Sequence, residues 1–460
     1  MSAPTVPTLL VIGGDAAGMS AAAGVKRAMG DDIHVTVFER GEWTSYSACG
    51  IPYWMAGSVD GPDALVARSP LEHCNRGIDV HTRTEAVVIR TAEQVVQVRA
   101  ADGTLADHHY DELLIATGAE PIRPDLPGID AEGIYGVQTL EDGCRLVDAL
   151  KAKPARVVVV GSGYIGLEMA EACVVRGVTT TVIDQAPSPL PFLDGELGAR
   201  VHVAMSGLGI GVQMATPVRG FDVDRDGAVC AVLTDRGRVE ADLVILGLGV
   251  RARSDLARDA GLRLGVSAGV EVDAHQRVVG QERIWAAGDC ALSRHRISGA
   301  TVHMPLGTHA NKQGATAGRN IVAARRGGEP VEFAGVLGTA ITKICELEIA
   351  VTGLTLDAAG EAGLDAVRAS VDTTTSAGYL PQAHEMTVTM VAERGTRRIL
   401  GSQIVGGPGS AIRIDTVATA LWSGMTVDQL IQCDLAYAPP FSSVWDPVQV
   451  AAKAVSRELG

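Results

Sequence analysis

Residues 157–166 read VVVVGSGYIG and residues 9–18 read LLVIGGDAAG. Each is an aliphatic run that closes on glycines and passes into a helical, small-residue stretch. That is the pattern of a buried parallel strand delivering the chain to a phosphate-binding turn, where backbone N–H groups and the positive helix end face a pyrophosphate. The second stretch is complete, Gly161-x-Gly163-x-x-Gly166. The first keeps Gly13, Gly14, Ala17 and Gly18 but has Asp15 where the middle glycine belongs, so alone it reads equally well as an ordinary glycine turn.

The surroundings repeat as well. The strand expected at His34–Phe38 ends on Glu39, and the one at Thr179–Ile183 ends on Asp184, each placed to bond a ribose hydroxyl. ELLIATGAEP (112–121) follows the first unit and DLVILGLGVR (242–251) the second, both buried-strand runs ending at glycine turns. RIWAAGDCA (283–291) delivers Asp289 after Gly288; by itself it could be any strand end, but beside two dinucleotide folds it looks like the carboxylate that meets the ribityl–phosphate part of a flavin. The fold class is therefore α/β, with two Rossmann-like nucleotide-binding domains, and a chain of 460 residues has room for them. From about residue 331, beyond Gly327, Gly328 and Pro330, β-rich runs and the helical pattern DTVATALWSGMTVDQLI indicate an α+β domain.

Composition narrows the function. A formal charge of −15 without a basic patch argues against nucleic acid and against an anionic membrane. No apolar run approaches the roughly 20 residues of a bilayer span. The N-terminus lacks the basic segment of a signal peptide. The eight cysteines are scattered and form no CxxC, so neither a metal site nor a thioredoxin-type pair is expected. Scattered cysteines suit a reducing compartment, and a cytoplasmic location is expected.

With these residues in place, the chain resembles the pyridine nucleotide-disulfide oxidoreductase superfamily, in its single-cysteine branch of coenzyme A-disulfide reductases, persulfide reductases and NADH oxidases. VIGGDAAGMSAA, VFERGEWTSYSACGIPY, LLIATGAEP, VVVVGSGYIGLEMAE, IWAAGDC, MPLGTHANKQG and YAPPFSSVWDPV carry the likeness. It implies an FAD domain (1–120 and 252–328), an inserted NAD domain (121–251) and a C-terminal dimerisation domain (329–460) that completes the partner's active site. FAD positions are matched by Gly13, Gly14, Ala17, Gly18, Glu39, Arg40, Thr117, Gly118, Gly288 and Asp289. Nicotinamide positions are matched by Gly161, Gly163, Tyr164, Ile165, Gly166, Glu168, Asp184 and Gly249. The Tyr164 ring is expected to cover the flavin until nicotinamide displaces it. NADH is the expected donor, because Asp184 opposes a 2′-phosphate and Gln185-Ala186-Pro187 adds no arginine; NADPH remains a possible donor.

The resemblance makes Cys49 the redox centre. Thr44 and Trp54 stand five positions away, so no CxxxxC pair exists, and YAPPFSS (437–443) replaces a His–Glu acid–base pair. Cys49 opens CGIPYWMAG, and a helix N-terminus there would lower its pKa. The bland reading, a buried structural thiol, is the default for the other cysteines. Tyr437 and Tyr379 match tyrosines supplied by the opposite subunit of a homodimer as proton donors, or else are packing tyrosines. Lys26, Arg27, Ser45, Arg68 and Arg76 are the candidate substrate contacts, with cations for coenzyme A phosphates; a solvated helix end explains the first two equally well. Ala48 replaces the asparagine usual before the cysteine, and no rhodanese module is expected after residue 460, both of which weaken the coenzyme A and persulfide readings. The alternatives are an NADH oxidase working through a Cys49 sulfenic acid and a redox sensor that only binds FAD and NAD. Ala16, where peroxidases carry histidine, argues against a peroxidase.

Overall fold

Parallel strands buried on both faces must be almost wholly aliphatic, and two such sets organise the molecule. The computed structural model describes residues 6–460, so the reading of the first five residues lies outside it. One five-stranded sheet has the order Ile284–Ala286, Glu112–Ile115, Thr8–Ile12, His34–Phe38 and Asp79–His81, every pair parallel. The second has the order Gly211–Gln213, Thr179–Ile183, Arg156–Val160, Leu243–Leu246 and Ile134–Gly136, again all parallel. Leu9–Val11 and Val157–Val160 are 4% exposed or less.

Each sheet carries a three-stranded antiparallel appendage, Glu85–Arg90/Val95–Arg99/Leu105–His109 on the first and Val218–Val223/Val229–Thr234/Gly237–Glu240 on the second. The two crossings between the units run side by side, Ala119–Pro121 pairing antiparallel with Val250–Ala252. The glycine-alanine stripe of the first helix, Ala16–Met29, buries Ala17, Gly18, Ala21 and Ala22. Without bulky side chains on that stripe, the long helix Gly307–Arg326 packs closely against it.

The last unit is a five-stranded antiparallel sheet in the order Ala340–Ile344, Leu347–Gly353, Ile399–Gly406, Glu385–Glu393 and Ala366–Thr374. Ile414–Trp422 and Pro447–Leu459 contribute to its core. The helical pattern 415–431 is not continuous. It breaks at Gly424, which has φ +66°, and restarts at Thr426, whose hydroxyl accepts the Gln429 N–H in a capping box. None of the helices among the described residues is long and apolar enough to cross a membrane.

Candidate active site

The two glycine turns have one geometry. Gly13 and Gly161 have φ of +108° and +105°, and a Cβ on either would lie 2.1 Å from the Ala116 carbonyl or 2.3 Å from the Gly247 carbonyl. Only glycine fits both demands. In each unit the acid at the end of the next strand reaches back to the turn. Glu39 accepts the N–H of Gly14 and of Gly41, both at 2.7 Å. Asp184 accepts the N–H and hydroxyl of Ser162, at 2.6 and 2.7 Å, and the Ala186 N–H at 2.8 Å.

Further elements close around the first turn. The Thr117 hydroxyl donates to the Arg253 carbonyl at 2.6 Å, and the Gly288 N–H to Gln313 Oε1 at 2.7 Å, fixing the loops that carry Gly118 and Asp289. A cleft of about 1150 Å³ starts at Glu39 and Arg40 and runs past Trp43, Tyr135, Arg145 and Arg253. Its mixed floor of carboxylate, guanidinium and aromatic groups suits the adenylate end of a dinucleotide. Cys49 does not line it. A Cβ on Gly14 would meet Thr44 and Glu39 at 2.9 and 3.0 Å, so the turn is a cradle that a side chain would fill. On this geometry the residues present fit FAD at the first turn and a nicotinamide dinucleotide at the second.

The loop bearing Cys49 is stitched to the first turn. The Ser45 N–H donates to the Gly14 carbonyl at 3.1 Å and the Tyr46 N–H to the Asp15 carboxylate at 3.1 Å. Cys49 itself lies in a 3-10 turn, Ala48–Gly50, and the α-helix starts only at Ile51. The expected lowering of the thiol pKa is therefore corrected. Cys49 is solvent-exposed, yet partial desolvation of its sulfur and the negative charges of Glu168, Asp289 and Asp15 push the thiol pKa up instead. Those acids come from the second turn's helix, the Gly288 loop and the first glycine turn, so Cys49 lies where both nucleotide units converge.

Glu168 stands in Tyr164–Val175, whose first turn includes Ile165 and Gly166. Its carboxylate accepts the Thr342 hydroxyl at 2.9 Å, and burial raises its pKa. One turn on, Lys343 donates to Glu171 at 2.8 Å. The Tyr164 ring packs on Phe192, centroids 4.7 Å apart. Thr342 and Phe192 escaped sequence reading, since neither lies in a motif.

Ser45 meets a residue the sequence did not single out, its hydroxyl lying 3.0 Å from His73 Nε2. Arg68 and Arg76 flank that histidine. The Lys26 ammonium is engaged with Asp31 at 3.3 Å and the Ile33 carbonyl at 3.5 Å, whereas Arg27 faces solvent. Tyr379 and Tyr437 are 75% and 49% exposed. Their loops are joined by the Ala377 N–H to Pro439 carbonyl bond at 2.9 Å. Among the described residues neither tyrosine bonds to Cys49.

Known proteins share this arrangement. Residues 7–314 match the model of the pyridine nucleotide-disulphide oxidoreductase family, and residues 339–448 match the family's dimerisation domain. An NAD(P)H sulfur oxidoreductase (CoA-dependent) of Pyrococcus furiosus is 36% identical over 97% of this chain and 98% of its own. An NADH oxidase of Methanocaldococcus jannaschii is 33% identical over 98% and 99%. The solved structure of an NAD-dependent persulfide reductase from A. fulgidus superposes with a TM-score of 0.93 at 35% identity, covering 98% of this chain and 83% of that one. The chain belongs to the pyridine nucleotide-disulphide oxidoreductase family.

Proposed function

We propose that the chain is an FAD-dependent oxidoreductase that uses NADH, or NADPH less well, to reduce a low-molecular-weight disulfide or persulfide through Cys49. Coenzyme A disulfide or persulfide is the leading substrate. One observation carries the reading. Of the eight cysteines, Cys49 alone is stitched through its loop to the first glycine turn and lies within the field of Glu168 from the second. The names of the Pyrococcus and A. fulgidus proteins support the sulfur substrate. The domains are read as 1–120 with 252–328 for FAD, 121–251 for NAD and 329–460 for dimerisation.

Bound FAD supplies two-electron transfer between nicotinamide and sulfur. The chain's residues do the rest. The turn at Gly161–Gly166 with Asp184 holds the dinucleotide, and Tyr164 with Phe192 walls the nicotinamide path. The Cys49 thiolate attacks a disulfide sulfur, releasing one thiolate and keeping the other half as a mixed disulfide. Two electrons from NADH then cleave that bond, releasing the second thiolate and restoring Cys49. Protons for the departing thiolates fall to Tyr437 and Tyr379 of the opposite subunit in a homodimer.

An NADH oxidase is the second reading, favoured by the Methanocaldococcus relative. There two electrons from one NADH would reduce oxygen to hydrogen peroxide, which would oxidise Cys49 to the sulfenic acid with release of water. Two electrons from a second NADH would return it to the thiol with release of a second water. NADH consumption with coenzyme A disulfide, coenzyme A persulfide, polysulfide and oxygen under matched conditions decides between them. A specificity constant highest for oxygen would reject the first.

A further inference from the structure

Tyr379 and Tyr437 lie on two irregular loops of the last unit, and one side chain ties those loops together. Arg413 Nη2 donates to the carbonyls of Thr375 and Phe441, both at 2.6 Å. Thr375 stands four residues before Tyr379, and Phe441 four residues after Tyr437. The other terminal nitrogen, Nη1, pairs with the Asp446 carboxylate. Besides this hub the loops share the bond from the Ala377 N–H to the Pro439 carbonyl.

Both members of the ion pair are anchored in regular structure. Arg413 closes the 3-10 turn Ala411–Arg413, which runs into the helix Ile414–Trp422. Asp446 caps the helix Pro447–Leu459, accepting the Val448 N–H at 2.9 Å, and it also accepts the Ser442 hydroxyl at 3.3 Å. The Arg413 and Asp446 side chains are 14% and 12% exposed, whereas both tyrosines are open to solvent. Taking two charges out of water adds little net stability even when they pair, and Arg413 Nε is left buried without an acceptor. The use of the arrangement is therefore geometric. The planar fork of a guanidinium presents several donors at fixed spacing, so two carbonyls and a carboxylate are held in one relation to each other.

We infer that Arg413 is a positioning residue: by bridging the Thr375 and Phe441 carbonyls it presents Tyr379 and Tyr437 as one unit instead of two independent loops. The inference rests on the reading of those tyrosines as proton donors at a second copy's Cys49. A proton donor must stand within hydrogen-bond reach of the departing sulfur, and a misplacement of about 1 Å can cost about a hundredfold in rate. With the Ala377–Pro439 bond as their sole remaining tie, the loops sample several placements.

The test reads position and chemistry separately. Holoenzyme carrying 3-fluorotyrosine gives a fluorine resonance for each of its seven tyrosines, and Tyr379→Phe and Tyr437→Phe assign two of them. Arg413→Met should shift or broaden both of these and leave the Tyr164 resonance in place. In the same variant kcat with coenzyme A disulfide should fall about ten- to a hundredfold with KM little changed. Reduction of FAD by NADH should stay within about twofold of wild type, since it precedes any proton transfer to sulfur. Arg413→Lys keeps a charge against Asp446 and should recover part of both effects. It stands in for Arg413→Met should that variant not fold. In a Tyr379→Phe/Tyr437→Phe background, Arg413→Met should cost no further turnover, because the residue acts through the tyrosines. A further loss in that background, or an unmoved resonance at either tyrosine in the folded variant, would overturn the inference. Full turnover in Tyr379→Phe/Tyr437→Phe, or a wild type inactive on coenzyme A disulfide, would instead refute the functional reading, and the two resonances would then decide on Arg413.

Discussion

The backbone N–H of Tyr46 donates to the carboxylate of Asp15 at 3.1 Å, so the residue replacing the middle glycine of the first turn anchors the redox loop. The substitution that weakens the motif in the sequence thus has a structural use. Asp15 is also a half-buried acid close to Glu39 and Asp289, and desolvation raises its pKa to about 7.

That shift sets a pH dependence. The native FAD-free protein holds the Asp15 proton more tightly than the unfolded chain, which releases it near the ordinary 3.8. Stability is therefore lost as pH rises between about 4 and about 7, by a few kcal/mol at most. Calorimetry of FAD-free protein should show this slope, and Asp15→Asn should flatten it. An unchanged slope in Asp15→Asn would assign it to other groups.

Glu168 bears on Cys49 in the same way. Its charge helps hold the thiol pKa above the ordinary value. The pH midpoint for alkylation of Cys49 should lie above that of free cysteine, and Glu168→Gln should move it down. A midpoint below that of free cysteine would restore the helix-terminus expectation.

Much of this was legible in the sequence. The paired strand–turn–helix units and the separate last domain follow from local patterns and are present in the structure, and Glu39 and Asp184 stand just past the ends of their strands. The environment of Cys49 does not follow, because Glu168 and Asp289 reach it from distant segments. Thr342 on Glu168, Phe192 under Tyr164 and His73 beside Ser45 are likewise tertiary contacts between residues that no motif marks. The helix expected at Cys49 was placed two residues early, since a 3-10 turn and an α-helix share the same sequence cues.

Coenzyme preference follows from Asp184. Its carboxylate is fixed by Ser162 and Ala186 at the end of Thr179–Ile183, and on the proposed reading it opposes a 2′-phosphate. The specificity constant should favour NADH by about tenfold or more, one to two charge-assisted contacts' worth. Asp184→Ala should narrow the gap. NADPH equal to or better than NADH in the wild type would contradict the assignment.

The exposed tyrosines bear on assembly. Tyr379 and Tyr437 are open to solvent in one chain, and on the proposed reading a second copy brings them to Cys49. Mixing Cys49→Ser subunits with Tyr437→Phe subunits should regenerate one intact site per heterodimer and restore activity. Failure to restore any would place the tyrosine's action within its own chain or remove it.

The central claim is that electrons enter without Cys49 and leave only through it. Stopped-flow and steady-state measurements on Cys49→Ser test it together. The variant should retain FAD and still bleach with NADH at close to the wild-type rate. Its turnover of coenzyme A disulfide or persulfide should fall by about three orders of magnitude or more, while Ser substitutions at Cys74, Cys144 or Cys433 leave turnover largely intact. Full disulfide or persulfide turnover in Cys49→Ser would contradict the account.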